Sequence, residues 1–299
     1  MTGTPPRPLA GVLAALFAVA VWAGWIPVTR FGVVTRVSPE DIAALRYGTA
    51  GLLLLPVLWL HRRSVPWRRI GPILAAAAGA GVPYFLLIAH GLRLANSGQG
   101  AVLGPGATSL NTAIIAWWWL DERPPRTRIW GLAITAAGIA LVLGHDLVAG
   151  AGRVGGFLLI LLASAHWAVF TVASRRLGLP ALLNTALVSV LNALVYWPFF
   201  LLGDGPRRLA ALPIGDLLLQ AGYQGLLAGV LALAAFSYAI DRLGAATAAG
   251  FTPLSPVLAT VIGWWLLGDT VDAATAVGLC AVGVGVLVAN RRPAGLRVP

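Results

Sequence analysis

About ten long apolar stretches follow one another along this chain, and the second half repeats the first. An offset of 145 aligns Gly11 with Gly156, Leu13 with Leu158, Ala18 with Ala163, Trp22 with Trp167 and Arg30 with Arg175. An offset of 147 aligns Trp117-Trp118 with Trp264-Trp265, Leu120 with Leu267, Glu122 with Asp269, Gly131 with Gly278 and Gly138 with Gly285. Five apolar segments per half is an odd number, so the two halves would insert in opposite senses. Inverted repeats around a central pathway are a transporter architecture.

Composition agrees. Of 299 residues, 59% are hydrophobic and 10% charged, against roughly 25% charged in a soluble domain. Roughly 20 apolar residues cross a bilayer, and lipid-exposed backbone must be helical or in a closed barrel. The runs are continuous and not short alternating segments, which disfavours a barrel. The fold class expected is an all-α membrane protein: ten transmembrane helices as two inverted five-helix repeats, at roughly 9–29, 41–60, 70–92, 97–119 and 128–144, then 156–174, 181–202, 216–240, 244–267 and 271–290. The first repeat occupies 1–147, a Gly-rich linker 148–155, the second repeat 156–292 and a cytoplasmic tail 293–299. Ala18-Val19-Ala20 superficially fits a signal cleavage site, but the run continues past it and aligns with an internal segment, so it reads as helix 1.

Every basic residue is Arg, and the net charge is +11. The arginines lie in short loops, so they report topology and not nucleic-acid binding. With the N-terminus in the cytoplasm, Arg7, Arg62, Arg63, Arg68, Arg69, Arg123, Arg126, Arg128, Arg175, Arg176, Arg242, Arg291, Arg292 and Arg297 face inward, and Arg30, Arg36, Arg93, Arg153, Arg207 and Arg208 outward. The excess places both termini of this multi-pass protein inside. The Trp117–Trp119 and Trp264-Trp265 clusters are expected at the cytoplasmic ends of helices 4 and 9, as interfacial anchors. The lone Cys280 excludes an intrachain disulfide.

The ten acidic residues all fall at or near expected helix ends. That leaves no paired carboxylates, metal-ligand cluster or nucleophile–histidine pair: no catalytic residue, metal or cofactor is expected, and the chain does not read as an enzyme. Two ionisable groups lie within the apolar runs. His166 is central in helix 6 and is expected to be a neutral hydrogen-bonding group. Arg46, inside helix 2, is expected to snorkel outward or to pair with Glu40 or Asp41. His90 lies near the outer end of helix 3. Helix 4 carries Gly104-Pro105-Gly106 and helix 9 carries Pro253 and Pro256, with Gly106 aligned to Pro253. Interrupted segments at matching positions point to a midplane site, so these five residues are gating candidates. Candidate pathway residues are Trp22, Tyr84, His90, Gln99, Thr108, Asn111, His166, Trp167, Tyr223, Gln224, Thr252 and Ser255. Aromatics, amides and hydroxyls suit a small amphipathic or zwitterionic solute and not a bare metal ion.

Several residues together resemble the EamA family of the drug/metabolite transporter superfamily. They are Trp22-Ala23-Gly24-Trp25, Ser38-Pro39, Ala44-Leu45-Arg46-Tyr47, Trp119-Leu120-Asp121-Glu122-Arg123, its repeat Leu266-Leu267-Gly268-Asp269, and Pro253-Leu254-Ser255-Pro256. The resemblance implies ten helices, cytoplasmic termini, alternating access and, in many members, export of amino acids or other metabolites, as in YddG-like exporters. The second half carries Asp269 where the family usually has Glu. The implied partners are a small-molecule substrate and the lipid bilayer, with no nucleic acid; the oligomeric state is open. A multidrug or other metabolite carrier of the same fold is the alternative, ahead of a channel. Without a mid-membrane carboxylate, transport is expected to be facilitated and gradient-driven.

Overall fold

A computed structural model describes residues 8–150, 152–244, 247–248 and 250–289. The expected tail at 293–299 and the arginines at 7, 291, 292 and 297 lie outside the described residues. Those described are helical, with no strand: α1 (Pro8–Thr35), α2 (Pro39–Leu60), α3 (Ile70–Gly79), α4 (Val82–Leu94), α5 (Ser97–Leu120), α6 (Arg126–Val148), α7 (Val154–Leu177), α8 (Ala181–Leu202), α9 (Gly205–Ala211), α10 (Ile214–Gln220), a π-helical stretch Ala221–Leu231, α11 (Ala232–Leu243), α12 (Leu254–Leu267) and α13 (Ala273–Ala289). Among the described residues, seven spans are long and apolar enough to cross a membrane: α1, α2, α3–α4 together, α6, α7, α8 and the run from α10 to α11. The helices α12 and α13 are apolar but shorter. At 1.5 Å per residue their 14 and 17 residues fall somewhat short of a hydrocarbon core of roughly 30 Å. The protein presents apolar side chains outward, among them Leu52, Trp118, Val148 and Leu202, as a lipid-facing surface does.

Helix starts follow local chemistry. Ser38 caps α2, its hydroxyl accepting from Asp41 N at 3.1 Å, with Pro39 in the first turn. Asn96 and Gln99 form a reciprocal capping box at α5. Asp272 accepts from Thr275 N at 2.6 Å at the start of α13.

Two expectations change. Helix 4 is not interrupted: α5 runs unbroken through Gly104-Pro105-Gly106. Thr108 Oγ1 donates to Gly104 O at 2.8 Å and Ser109 Oγ to Pro105 O, back-bonds to the preceding turn of the same helix. Helix 9 does break as expected, in a turn over 250–253 that holds Pro253 and precedes α12, and further irregularities fall in the third helix of each half. The α3–α4 span breaks at Ala80-Gly81, where Tyr47 Oη donates to Ala80 O and Asn192 Oδ1 accepts from Val82 N. The π-helical stretch lies at the matching place in the second half, since an offset of 145 carries Ala80 to Gly225. The second change concerns tryptophan. Arg30 at the end of α1 meets Asp269, just beyond α12, while Glu122, just beyond α5, meets Arg175 at the end of α7. The Trp264-Trp265 end of α12 is therefore on the opposite face from Trp117–Trp119, since Asp269 meets Ser97 at the other end of α5.

The main helix packing joins the two sequence halves. Helix α6 packs on α13 and α2 on α8; α1 packs on α11 and α12, and α7 on α4 and α5. Glycines let α6 and α13 approach backbone to backbone. A Cβ on Gly131 would lie 2.5 Å from Gly285 O, and one on Gly285 would lie 2.6 Å from Gly131 O; Gly138 and Gly278 face each other likewise at 3.0 Å. Close approach of this kind drives helix association where lipid competes with apolar side chains. Replacing Gly131 with Leu forces the helices apart. The expected loss is about 1–3 kcal/mol, read as a lower melting temperature in detergent. Gly144→Leu on the same helix, where a Cβ meets nothing within 4 Å, leaves it unchanged; equal melting of both variants would contradict the packing account.

Candidate functional site

A cavity of about 610 Å³ lies between the halves. Trp22, Trp25 and Ile26 of α1, Arg46 and Tyr47 of α2, and Tyr84 and Ile88 of α4 form one wall. Gly104, Pro105, Thr108 and Ser109 of α5 face Ser164, Trp167 and Phe170 of α7. Toward the end of the bundle where α1 begins and α13 ends, the lining is completed by Thr185 and Ser189 of α8, Thr252, Pro253, Ser255 and Pro256 at the start of α12, and Gly283 and Val286 late in α13. That end is the more open of the two, since its Arg175–Glu122 pair is far more exposed than Arg30–Asp269 at the other.

The opposite end is sealed. Arg30 Nε donates to Asp269 Oδ1 at 3.1 Å, and Arg30 Nη1 donates to Leu92 O at 2.6 Å and to Ala95 O. Asp269 Oδ2 accepts from Ser97 N at 2.8 Å, and Asn96 Nδ2 donates to Thr270 O. One guanidinium thus ties α1 and the end of α12 to the α4–α5 corner. Nearby, Arg208 meets Asp41 at 2.9 Å and His90 meets Glu40 at 3.0 Å. At the open end Arg175 binds Glu122 through both nitrogens, holding that carboxyl below the usual carboxylate range. A depressed pKa makes this pair's contribution complete at neutral pH and lost only as pH falls through the lowered value. The offsets that relate the halves carry Arg30 to Arg175 and Glu122 to Asp269, so the two pairs are counterparts. Their environments differ: side-chain exposure is 17% and 6% for Arg30 and Asp269, but 50% and 40% for Arg175 and Glu122.

Ten of the residues singled out from sequence line the cavity: Trp22, Tyr84, Gly104, Pro105, Thr108, Trp167, Thr252, Pro253, Ser255 and Pro256. Seven lie off it. His90 is at the sealed end with Glu40, and Gln99 is spent in the α5 capping box. Asn111 Nδ2 donates to Ser164 Oγ at 2.8 Å, joining α5 to α7. His166 Nδ1 is 3.0 Å from Leu162 O of its own helix, one residue off the face where Trp167 enters the cavity. Tyr223 Oη donates to Val21 O. Gly106 packs toward α13, where an added Cβ would meet Val282 at 3.0 Å. Gln224 stands behind the wall and touches Arg46.

Arg46 is the lining residue that sequence reasoning misjudged. It neither snorkels nor pairs with Glu40 or Asp41, which are taken by His90 and Arg208. Its guanidinium sits 5.5, 5.7 and 5.6 Å from the ring centres of Trp25, Tyr47 and Phe85, and Nη1 donates to Gln224 Oε1 at 3.2 Å. Gln224 can turn its oxygen to Arg46 because its amide nitrogen is used on Thr29 Oγ1 at 2.9 Å. Each ring face is worth roughly 0.5–2 kcal/mol to the cation, enough together to offset part of the cost of its burial. Trp25 and Phe170 were also missed. They follow Trp22 and Trp167 by three residues, the spacing of one helix face, and they extend a row of rings in which Trp25–Tyr84, Tyr84–Trp167 and Trp167–Phe170 are 6.1, 5.0 and 5.2 Å apart.

Comparison with known proteins agrees with this architecture. The model of the EamA-like transporter family matches twice, over residues 9–144 and 154–291. An "Uncharacterized inner membrane transporter YedA" of Escherichia coli is 30% identical over 270 residues, covering 89% of this chain and 85% of its own length. A "Probable terminal-alkyne amino-acid exporter" of Streptantibioticus cattleyicolor is 24% identical over 303 residues, covering 96% and 95%. A solved crystal structure matches with a TM-score of 0.55 at 19% identity over 94% of this chain and 95% of its own, a likeness of fold alone. An all-helical bundle with several membrane-length helices, a cavity between its halves and two successive matches to one family leave a plain assignment: the chain belongs to the EamA-like transporter family and is a multi-pass bacterial inner-membrane transporter.

Proposed function

We propose that the protein exports small amphipathic metabolites, amino acids first among them, by alternating access between two inverted five-helix repeats, 1–147 and 156–292, joined by the linker 148–155. On this reading helix 3 is α3–α4, helix 4 is α5, helix 8 runs from α10 through α11, and α5, α12 and α13 bring the seven spans to ten membrane segments. The observation that carries it is the pair of counterpart ion pairs. Arg30–Asp269 seals one end with the α4–α5 corner drawn in, while Arg175–Glu122 stands exposed at the other. Two halves related by inversion can exchange these environments, which would close the exposed end, the mouth on this reading, and open the sealed one. A channel would need both ends open together. With both termini in the cytoplasm, as the arginine excess indicates, this conformation faces inward and is ready to load an exported solute. Amino acids are favoured by the neutral polar and aromatic lining and by the amino-acid exporter among the relatives; a multidrug or other metabolite carrier remains the alternative.

Topology is tested with single cysteines in a chain whose Cys280 is replaced. Positions 68 and 153 should react with an impermeant reagent from the cytoplasmic and the outer side respectively; reaction of both from one side contradicts the inversion.

Transport is tested by counterflow of radiolabelled L-phenylalanine and L-alanine in proteoliposomes. Gly283→Trp should abolish flux while still inserting, because a Cβ there meets nothing within 4 Å and the ring enters the cavity. Unchanged flux would mean that the cavity is not the pathway. Among the described lining residues the formal charge is that of Arg46, and none of them is an acid or a histidine. An imposed pH gradient should therefore leave accumulation unchanged. Accumulation driven by the gradient and lost in His166→Gln would make the transporter proton-coupled through that histidine.

A further inference from the structure

We infer that Arg46 is the anchor for a carboxylate group of the transported solute, and that the site selects for the acid while being indifferent to an α-amino group. This rests on the cavity being the transport pathway.

Arg46 carries the one formal charge among the described residues that line the cavity, and it is positive. A guanidinium has five N–H donors; among the described residues Nη1 of Arg46 donates to Gln224 and the Tyr47 side chain lies against it, which leaves donors spare. No carboxylate of the described residues lies within 4 Å of it, in contrast to Arg30, Arg153, Arg175 and Arg208, each of which has an acid partner. The polar network holds it in place: Gln224 is fixed by Thr29, and three aromatic rings confine the guanidinium from other sides. A planar cation with spare donors is the group that receives a carboxylate in two parallel hydrogen bonds. The aromatic row from Trp25 to Phe170 then offers an apolar track to the rest of the solute.

The amino group of an amino acid finds no matching acid. The described lining contains no Asp or Glu, so an ammonium would meet only hydroxyls, carbonyls and ring faces. Solutes that keep the acid and lack the amine should bind as well as the amino acid, and amines or amides of the same shape should not.

The probes are 3-phenylpropionate, L-phenylalanine, 2-phenylethylamine and 3-phenylpropionamide. Each is titrated against the detergent-solubilised full chain by thermal shift and then tested for flux in proteoliposomes. The two acids should stabilise the wild type and be carried; the amine and the amide should do neither. Arg46→Gln should weaken both acids by about 10- to 100-fold and erase the preference, while Arg46→Lys, which keeps the charge and loses the planar fork, should retain a part of it. Wild-type melting of each unliganded variant checks folding; if Arg46→Gln does not fold, the comparison of the four probes on wild type and Arg46→Lys decides. Binding of the amine or amide as tight as that of the acids overturns the inference, as does an acid preference that survives in Arg46→Gln. Carriage of neutral solutes alone would overturn it while leaving the transport reading intact, whereas absence of flux for every solute tried, with Gly283→Trp no different from wild type, would remove the transport reading itself.

Discussion

The two halves of this protein hold each other together. In a bilayer apolar side chains gain little by leaving lipid for one another, so association rests on close packing and on polar groups that must be satisfied inside the bundle. Here both devices run across the halves. Gly131 and Gly138 of α6 face Gly285 and Gly278 of α13, and Asn192 of α8 binds both sides of the break at Ala80-Gly81. The interior left between the halves is therefore a seam in the packing, and the cavity occupies it. A pathway bounded by two bodies can open at either end without any helix unfolding.

The electrostatics divide by place. Acids and arginines at the bundle ends pair with one another: Arg30 with Asp269, Arg208 with Asp41, Arg153 with Asp146 and Arg175 with Glu122. Such pairs stitch loops and helix ends where water is near. Inside, the charge on Arg46 is managed differently, by ring faces and one amide, and it faces the cavity. A charge kept without a counter-charge in an apolar wall is costly unless something supplies the opposite sign, and in a transporter that can be the solute.

Much of the fold was legible because membrane helices announce themselves by length. Helices 1, 2, 6 and 7 begin and end within a few residues of expectation, apart from the extra turn and a half at the end of α1. The turn over 250–253 was legible in Pro253, but the other breaks were not. Gly104-Pro105-Gly106 looks like an interruption, yet α5 runs through it. The π-helical stretch has no comparable signature; it is visible only in Gly222, Gly225 and Gly229 and in two buried glutamines four residues apart. Aromatic candidates fared well because Trp22, Tyr84 and Trp167 face the seam. Gln99, Asn111 and Gln224 did not, since an amide in a helix is as useful for a cap or a neighbouring helix as for a cavity. Arg46 was misread because Glu40 and Asp41 stand near it in sequence; their partners, His90 and Arg208, come from elsewhere in the chain.

The central claim is that the two ends of the cavity open in turn. It is tested most directly by pulsed-EPR distances in a Cys280-free chain, with one spin-label pair at Arg36 and Arg93 on the sealed face and another at Leu182 and Leu254 at the mouth. The account predicts that conditions which lengthen the first distance shorten the second, with two populations exchanging between them. Distances that stay single and fixed, or that lengthen together, would contradict it.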